Sequence, residues 1–193
     1  MKRVVLLHGT DGSPDELWFP WLSEQFELEG YKVYAPLLPD NHTPNKQKYE
    51  SFLKESGWDF SNNIIVGHSS GATTVLNLLT EEWFPNVKAT ILVGTFLNEH
   101  LLKQVNPDWY DEKQFIDLFK DSYDIGMLKE KCQKYYFVHG DDDPYCSIDD
   151  ATELCKKLGG KMIIVNNGGH LASSSGILEL PQIIEQLEAD DIL

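Results

Sequence analysis

The sequence predicts an α/β fold: a mostly parallel six-stranded sheet with helices on both faces. Two observations lead there. Short β-rich apolar runs alternate along the chain with longer segments of helical period. The runs are also near-continuously apolar rather than alternating, as expected of strands covered on both faces.

In chain order, the first strand is 4–7, Val4-Val5-Leu6-Leu7, and residues 18–29 have the length and apolar spacing of an amphipathic helix. A strand at 32–35 and a helix at 44–56 follow, then a strand at 63–66 and a helix at 71–83. The fourth strand is 89–93. Residues 94–131 make an irregular connection carrying Trp109, Tyr110, Phe115, Phe119 and Tyr123. It reads either as an ordinary crossover helix with an aromatic buried face or as a lid or pocket wall. The fifth strand is 135–138. The helix at 147–158 opens on Ser147, three residues before Asp150, in the manner of a capping box, and stops at Gly159-Gly160. A last strand at 162–165 and a helix at 177–187 complete the pattern. With 193 residues, 41% of them hydrophobic, and no repeat or linker, residues 1–193 are expected to form a single domain.

Charge narrows the partners. The chain has 31 acidic residues against 16 basic ones, a net −15. Such a field repels phosphate backbones and anionic headgroups, so neither nucleic acid nor membrane is an expected partner. Cys132, Cys146 and Cys155 make an odd number with no C-x-x-C pair, which fits a reducing compartment and offers no zinc-ligand spacing. No apolar run approaches the length of a signal-peptide core or of the roughly 20-residue membrane span. The expected location is cytoplasmic.

Chemistry concentrates at Gly67-His68-Ser69-Ser70-Gly71, a G-x-S-x-G between a strand and a helix. In such a nucleophile elbow the serine sits in a strained turn, and side chains at the flanking glycines would clash with neighbouring elements. The helix start after it lets the Ser70 backbone N–H bind an oxyanion. A second donor belongs on the loop after an earlier strand, and His8-Gly9-Thr10-Asp11-Gly12 supplies the Thr10 backbone N–H. A phosphate-binding turn is disfavoured there, since neither glycine-rich phosphate motif is present and Asp11 is acidic.

A serine hydroxyl needs a base and an orienting carboxylate, in the chain order Ser, Asp, His. Asp141-Asp142-Asp143-Pro144 follows the fifth strand, and Asp143 is favoured over Asp142 as the orienter. Asp141 and its neighbour otherwise read as solvated turn carboxylates. His170, after Asn166-Asn167-Gly168-Gly169, is the one histidine beyond the aspartates and is therefore the candidate base. Of the others, His8, His68 and His139 belong to strand ends and turns, while His42 and His100 are placed in polar loops. No H-E-x-x-H or calcium-loop spacing occurs, so no metal is expected.

On His8-Gly9, Gly67-His68-Ser69-Ser70-Gly71-Ala72, Asp142-Asp143-Pro144 and Gly169-His170, taken with the short length, the chain resembles the α/β-hydrolase superfamily. Within it, the chain is similar to the small lidless serine hydrolases of the retinoblastoma-binding protein nine and YdeN type. The resemblance spans nearly the whole chain. It implies a minimal hydrolase sheet lacking the first two superfamily strands, with no large lid domain. It also implies a Ser69-His170-Asp143 triad and hydrolysis, without a cofactor, of a small-molecule acyl substrate (ester, thioester or amide). A carboxylesterase-like serine hydrolase is the leading expectation, and a catalytically weak binding or scaffold protein on the same fold is the alternative. The L-x-C-x-E retinoblastoma ligand of the vertebrate member is missing, since Leu154-Cys155-Lys156 does not fit it.

Overall fold

The computed structural model describes residues 1–111, 113–115 and 117–193. Glu112 and Ile116, which belong to the 94–131 connection, lie outside the described residues. Six strands, β1 (Arg3–Leu7), β2 (Lys32–Tyr34), β3 (Ile64–His68), β4 (Ala89–Val93), β5 (Tyr135–Gly140) and β6 (Lys161–Val165), pair in the order β2-β1-β3-β4-β5-β6. Every pairing is parallel. Parallel neighbours require crossovers, and helices supply them: α1 (Phe19–Leu28), α2 (Lys46–Glu55), α3 (Ser70–Leu79), α4 (His100–Val105), α5 (Ile125–Lys131), α6 (Ile148–Leu158) and α7 (Pro181–Ala189).

The two-residue period of each strand divides its side chains between two cores. Val5, Leu7, Ile65, Leu92 and Phe137 pack with residues of α2, α3, α5 and α6. Val4, Leu6, Val66, Ile91 and Val138 face α1 and α7 on the other side. Both sets are almost fully removed from solvent, which is why the strands read as unbroken apolar runs. Truncating one of these leucines to alanine costs about 2–5 kcal/mol. α6 begins as its sequence suggests: the Ser147 side chain accepts from the Asp150 N–H, and Gly159 closes the helix with φ +71°. The reciprocal half of the capping box is not made; the Asp150 carboxylate accepts from the Asn98 side-chain amide at 3.0 Å.

The 94–131 connection is not one crossover helix. Its described part holds α4 and α5, with irregular backbone between them, and His100 is the first residue of α4 rather than a loop residue. Phe96, Leu102, Phe115 and Leu118 gather with Cys146 in a third, smaller apolar cluster, against which Tyr110, Phe119 and Tyr145 pack. This cluster lies at the carboxyl end of the sheet, where ligands bind in open α/β folds. No helix is long and apolar enough to cross a membrane among the described residues.

Candidate active site

Ser69 stands between β3 and α3 with φ 55° and ψ −121°. A non-glycine residue in that region is strained by about 1–3 kcal/mol, so the surroundings must enforce it. They do so by close packing: a Cβ on Gly67 would lie 2.5 Å from the Gly71 carbonyl oxygen, and a Cβ on Gly71 would lie 2.3 Å from that of Leu7. The glycines therefore let α3 press against the ends of β1 and β3. The Ser69 N–H donates to the Val93 carbonyl at 2.8 Å, tying the turn to β4. Gly71→Val is expected to harm fold and activity together. Overpacking against rigid backbone costs about 3 kcal/mol or more, or about 6–12 °C in melting temperature for a chain of this size. Unchanged melting with unchanged turnover would show that the contact is not restrictive.

The loops after β5 and β6 bring the other two residues to this serine. His170 Nε2 lies 2.9 Å from Ser69 Oγ, and its Nδ1 lies 2.8 Å from Asp143 Oδ2. Asp143 Oδ1 accepts from the Tyr145 and Cys146 N–H groups at 2.9 and 3.1 Å, which turns the other oxygen toward the imidazole. The Asp143 side chain is only 1% exposed. Burial opposes its ionisation, but the hydrogen bond and charge of His170, with the two amides, outweigh it and hold the carboxyl below its usual range. With Asp143 ionised, Nδ1 carries a proton and donates it to the carboxylate, leaving the Nε2 lone pair to accept from the serine hydroxyl. The three residues that the sequence singled out thus form one hydrogen-bonded chain, and of the competing aspartates Asp143 is the one that meets the histidine.

Thr10 and Ser70 stand beside the serine, joined by a Thr10 Oγ1–H bond to Ser70 Oγ at 3.0 Å. Among the described residues neither backbone N–H has a hydrogen-bond acceptor. A cavity of about 260 Å³ opens on Ser69 and His170, walled by Phe96, Leu102, Trp109, Phe115 and Tyr145. The 94–131 connection is therefore a pocket wall. A second cavity of about 500 Å³ lies behind the His8–Ser13 loop and shares Thr10, Asp11, Ala172 and Ser173 with the first.

Two features escaped sequence reasoning. Asp141 and Asp142 have exposed side chains, as solvated turn carboxylates would, yet each accepts a backbone N–H of the histidine loop: Asn167 to Asp141 Oδ1 and Gly169 to Asp142 Oδ1, both at 2.7 Å. Three further imidazoles are buried around the site. His8 Nε2 accepts from the Leu38 N–H, His139 Nε2 accepts from the Thr95 N–H, and His68 Nε2–H donates to the His170 carbonyl, all at 2.9 Å.

Burial pushes His68 down to about 3, helped by the neighbouring His170, and pushes His139 down to about 4. Both folded values lie below the unfolded 6.5, so the unfolded chain binds more protons. Their contribution to stability is full above that value and is lost as the pH falls toward the folded ones. In an NMR titration the His68 and His139 ring signals should keep their neutral positions from pH 8 down to about 5. Titration of either near 6.5 would contradict the burial argument.

Asp143, Cys146 and His170 could bring one ligand atom each within 4.8 Å of one another. Burial raises the Cys146 thiol well above its ordinary value, so the thiolate a metal requires is suppressed, and both Asp143 oxygens are already engaged.

A serine forced into a strained turn after the third strand of a parallel sheet, met by histidine and carboxylate from later strand ends, places this protein among the minimal α/β hydrolases. Within that class the chain belongs to the serine hydrolase family, whose model matches residues 4–189. YdeN of Bacillus subtilis is 23% identical over 195 residues, covering 96% of this chain and 94% of that protein. Serine hydrolase RBBP9 of Rattus norvegicus is 22% identical over 189 residues, covering 96% and 95%. The crystal structure of the B. subtilis ydeN gene product superposes with a TM-score of 0.84 at 21% identity, covering 98% of both chains. Carboxylesterase CesB, also from B. subtilis, shares the fold with a TM-score of 0.64 at 16% identity, covering 96% of this chain and 81% of that one.

Proposed function

We propose that the protein hydrolyses small, uncharged carboxyl esters through an acyl-enzyme on Ser69, with thioesters and amides as related substrates. Ser69 Oγ attacks the acyl carbonyl while His170 Nε2 takes its proton, and Asp143 stabilises the imidazolium that results. The Thr10 and Ser70 N–H groups receive the oxyanion. The proton on His170 then passes to the departing alkoxide as the acyl–oxygen bond breaks. Water, deprotonated by the same nitrogen, releases the acid and regenerates Ser69. The observation that carries this reading is the Ser69–His170–Asp143 chain of 2.9 and 2.8 Å contacts opening into an aromatic-walled cavity.

An uncharged acyl group suits walls of Phe96, Leu102 and Phe115 better than a carboxylate does, and the net charge of −15 disfavours anionic substrates further. The same charge argues against nucleic acid and anionic membrane as partners. Three free, buried cysteines favour the cytoplasm as its location. A fluorophosphonate probe tests the nucleophile: stoichiometric labelling at Ser69 is expected, together with turnover of short p-nitrophenyl esters. A folded protein that neither labels nor turns over any ester of an acetyl-to-octanoyl series would instead be a binding protein on a hydrolase fold.

A further inference from the structure

The loop that carries His170 turns through three residues in the left-handed region. Asn167, Gly169 and Leu171 have φ values of 52°, 53° and 53°, a region that disfavours a buried leucine. Two turn hydrogen bonds of its own, from the Gly168 N–H to the Val165 carbonyl at 3.1 Å and from the Leu171 N–H to the Gly168 carbonyl at 3.0 Å, are joined by restraints from outside the loop on both sides of His170. From the β5 end, Asp142 Oδ1 accepts the Gly169 N–H at 2.7 Å and Asp141 Oδ1 accepts the Asn167 N–H at 2.7 Å. From the elbow side, His68 Nε2–H donates to the His170 carbonyl at 2.9 Å, and Trp18 Nε1–H donates to the Leu171 carbonyl at 3.0 Å. The backbone on either side of the His170 Cα is therefore gripped, by a carboxylate acceptor before it and a ring N–H after it.

We propose that Asp142 is a positioning residue for His170, acting with His68 to fix the backbone from which the imidazole reaches both Ser69 and Asp143. This rests on the reading of His170 as the base. Asp142 does not meet the imidazole ring; its carboxylate oxygen is spent on Gly169 N–H, and what it controls is where the ring stands. A ring displaced by about 1 Å from the serine loses about a hundredfold in rate, because proton transfer needs hydrogen-bond contact. The role requires an acceptor at Oδ1 rather than a negative charge, and asparagine keeps that acceptor while alanine removes it.

Asp142→Ala and Asp142→Asn separate the two. Asp142 is exposed, so neither change disturbs the core. With a p-nitrophenyl ester, Asp142→Ala should lower kcat by about 10- to 100-fold with KM within about threefold. Asp142→Asn should stay within about threefold of wild type in both. A second readout needs no turnover: the downfield proton signal of His170 Nδ1–H should be sharp in the wild type and Asp142→Asn, and broadened in Asp142→Ala. Three results would overturn the proposal: Asp142→Ala with wild-type kcat and an unchanged Nδ1–H signal, Asp142→Asn as impaired as Asp142→Ala, or a loss of activity that only follows a loss of folded protein. If the wild type hydrolyses no ester, the proton signal still tests the clamp while the catalytic reading fails separately.

Discussion

Ser69→Ala is expected to abolish turnover while leaving the fold intact, with kcat falling by about four to six orders of magnitude. The two halves of this expectation have separate physical grounds. The elbow is held by backbone: Gly67 and Gly71 permit the close approach of α3, and the Ser69 N–H bonds to the Val93 carbonyl, none of which involves the hydroxyl. Alanine has less bulk at the same φ, so the melting temperature should stay within about 4 °C of wild type, roughly a 1 kcal/mol change in a chain of this size. The hydroxyl, in contrast, is the proposed attacking group, 2.9 Å from the imidazole nitrogen that would take its proton. Without it the proposed acyl-enzyme could not form, and the expected loss corresponds to about 5–8 kcal/mol of transition-state stabilisation. What remains is the contribution of oxyanion donors and binding acting on water. Fluorophosphonate labelling should vanish in the same variant. Esterase activity within tenfold of wild type would remove Ser69 from the mechanism, and a matching fall in melting temperature would mean that the hydroxyl supports the fold instead.

The parts of this site that are legible in the sequence share a property: each is enforced locally or by chain order. The elbow is readable because Gly67 and Gly71 are demanded by contacts made within one strand–turn–helix unit. His170 is readable because a histidine had to follow the aspartates, and only one does. The sheet is readable because β1, β3, β4 and β5 are buried on both faces and so are apolar over most of their length. The rest depends on partners far apart in sequence. Nothing in Asp141-Asp142 distinguishes a solvated carboxylate from one bonded to an amide 26 or 27 residues away. His68 pairs with a carbonyl 102 residues away, and the sequence shows only that it occupies the variable position of the motif. In the 94–131 connection the aromatic residues are visible, but α4 and α5 are short and the irregular backbone between them follows no period that a sequence pattern exposes.

Asp143→Asn carries the second large effect, about four orders of magnitude in kcat with the structure preserved. In the proposed mechanism the carboxylate has two tasks, and an amide fails at each. It accepts the imidazole Nδ1–H at Oδ2, which leaves Nε2 unprotonated toward Ser69; an amide NH₂ turned to the same place would donate instead and favour the opposite tautomer. It also supplies a negative charge, 1% exposed, beside the imidazolium that forms as the serine proton moves, where water cannot replace it. The Tyr145 and Cys146 amides add to the effect. They bond to Oδ1, so in the variant they hold the amide oxygen and leave the NH₂ facing His170. Asp141→Asn and Asp142→Asn keep an oxygen for the Asn167 and Gly169 N–H groups and carry exposed side chains, so Asp141→Asn should cost about tenfold or less and Asp142→Asn should stay within about threefold. The three isosteric changes, on consecutive residues of one loop, thus separate a carboxylate that must be charged from two that need only accept. If Asp142→Asn proved the damaging change and Asp143→Asn the mild one, the acid would be misplaced by one residue while the nucleophile and base kept their assignments. Equal, small losses at all three would mean that no carboxylate orients His170, and the proposed mechanism would lose its third member.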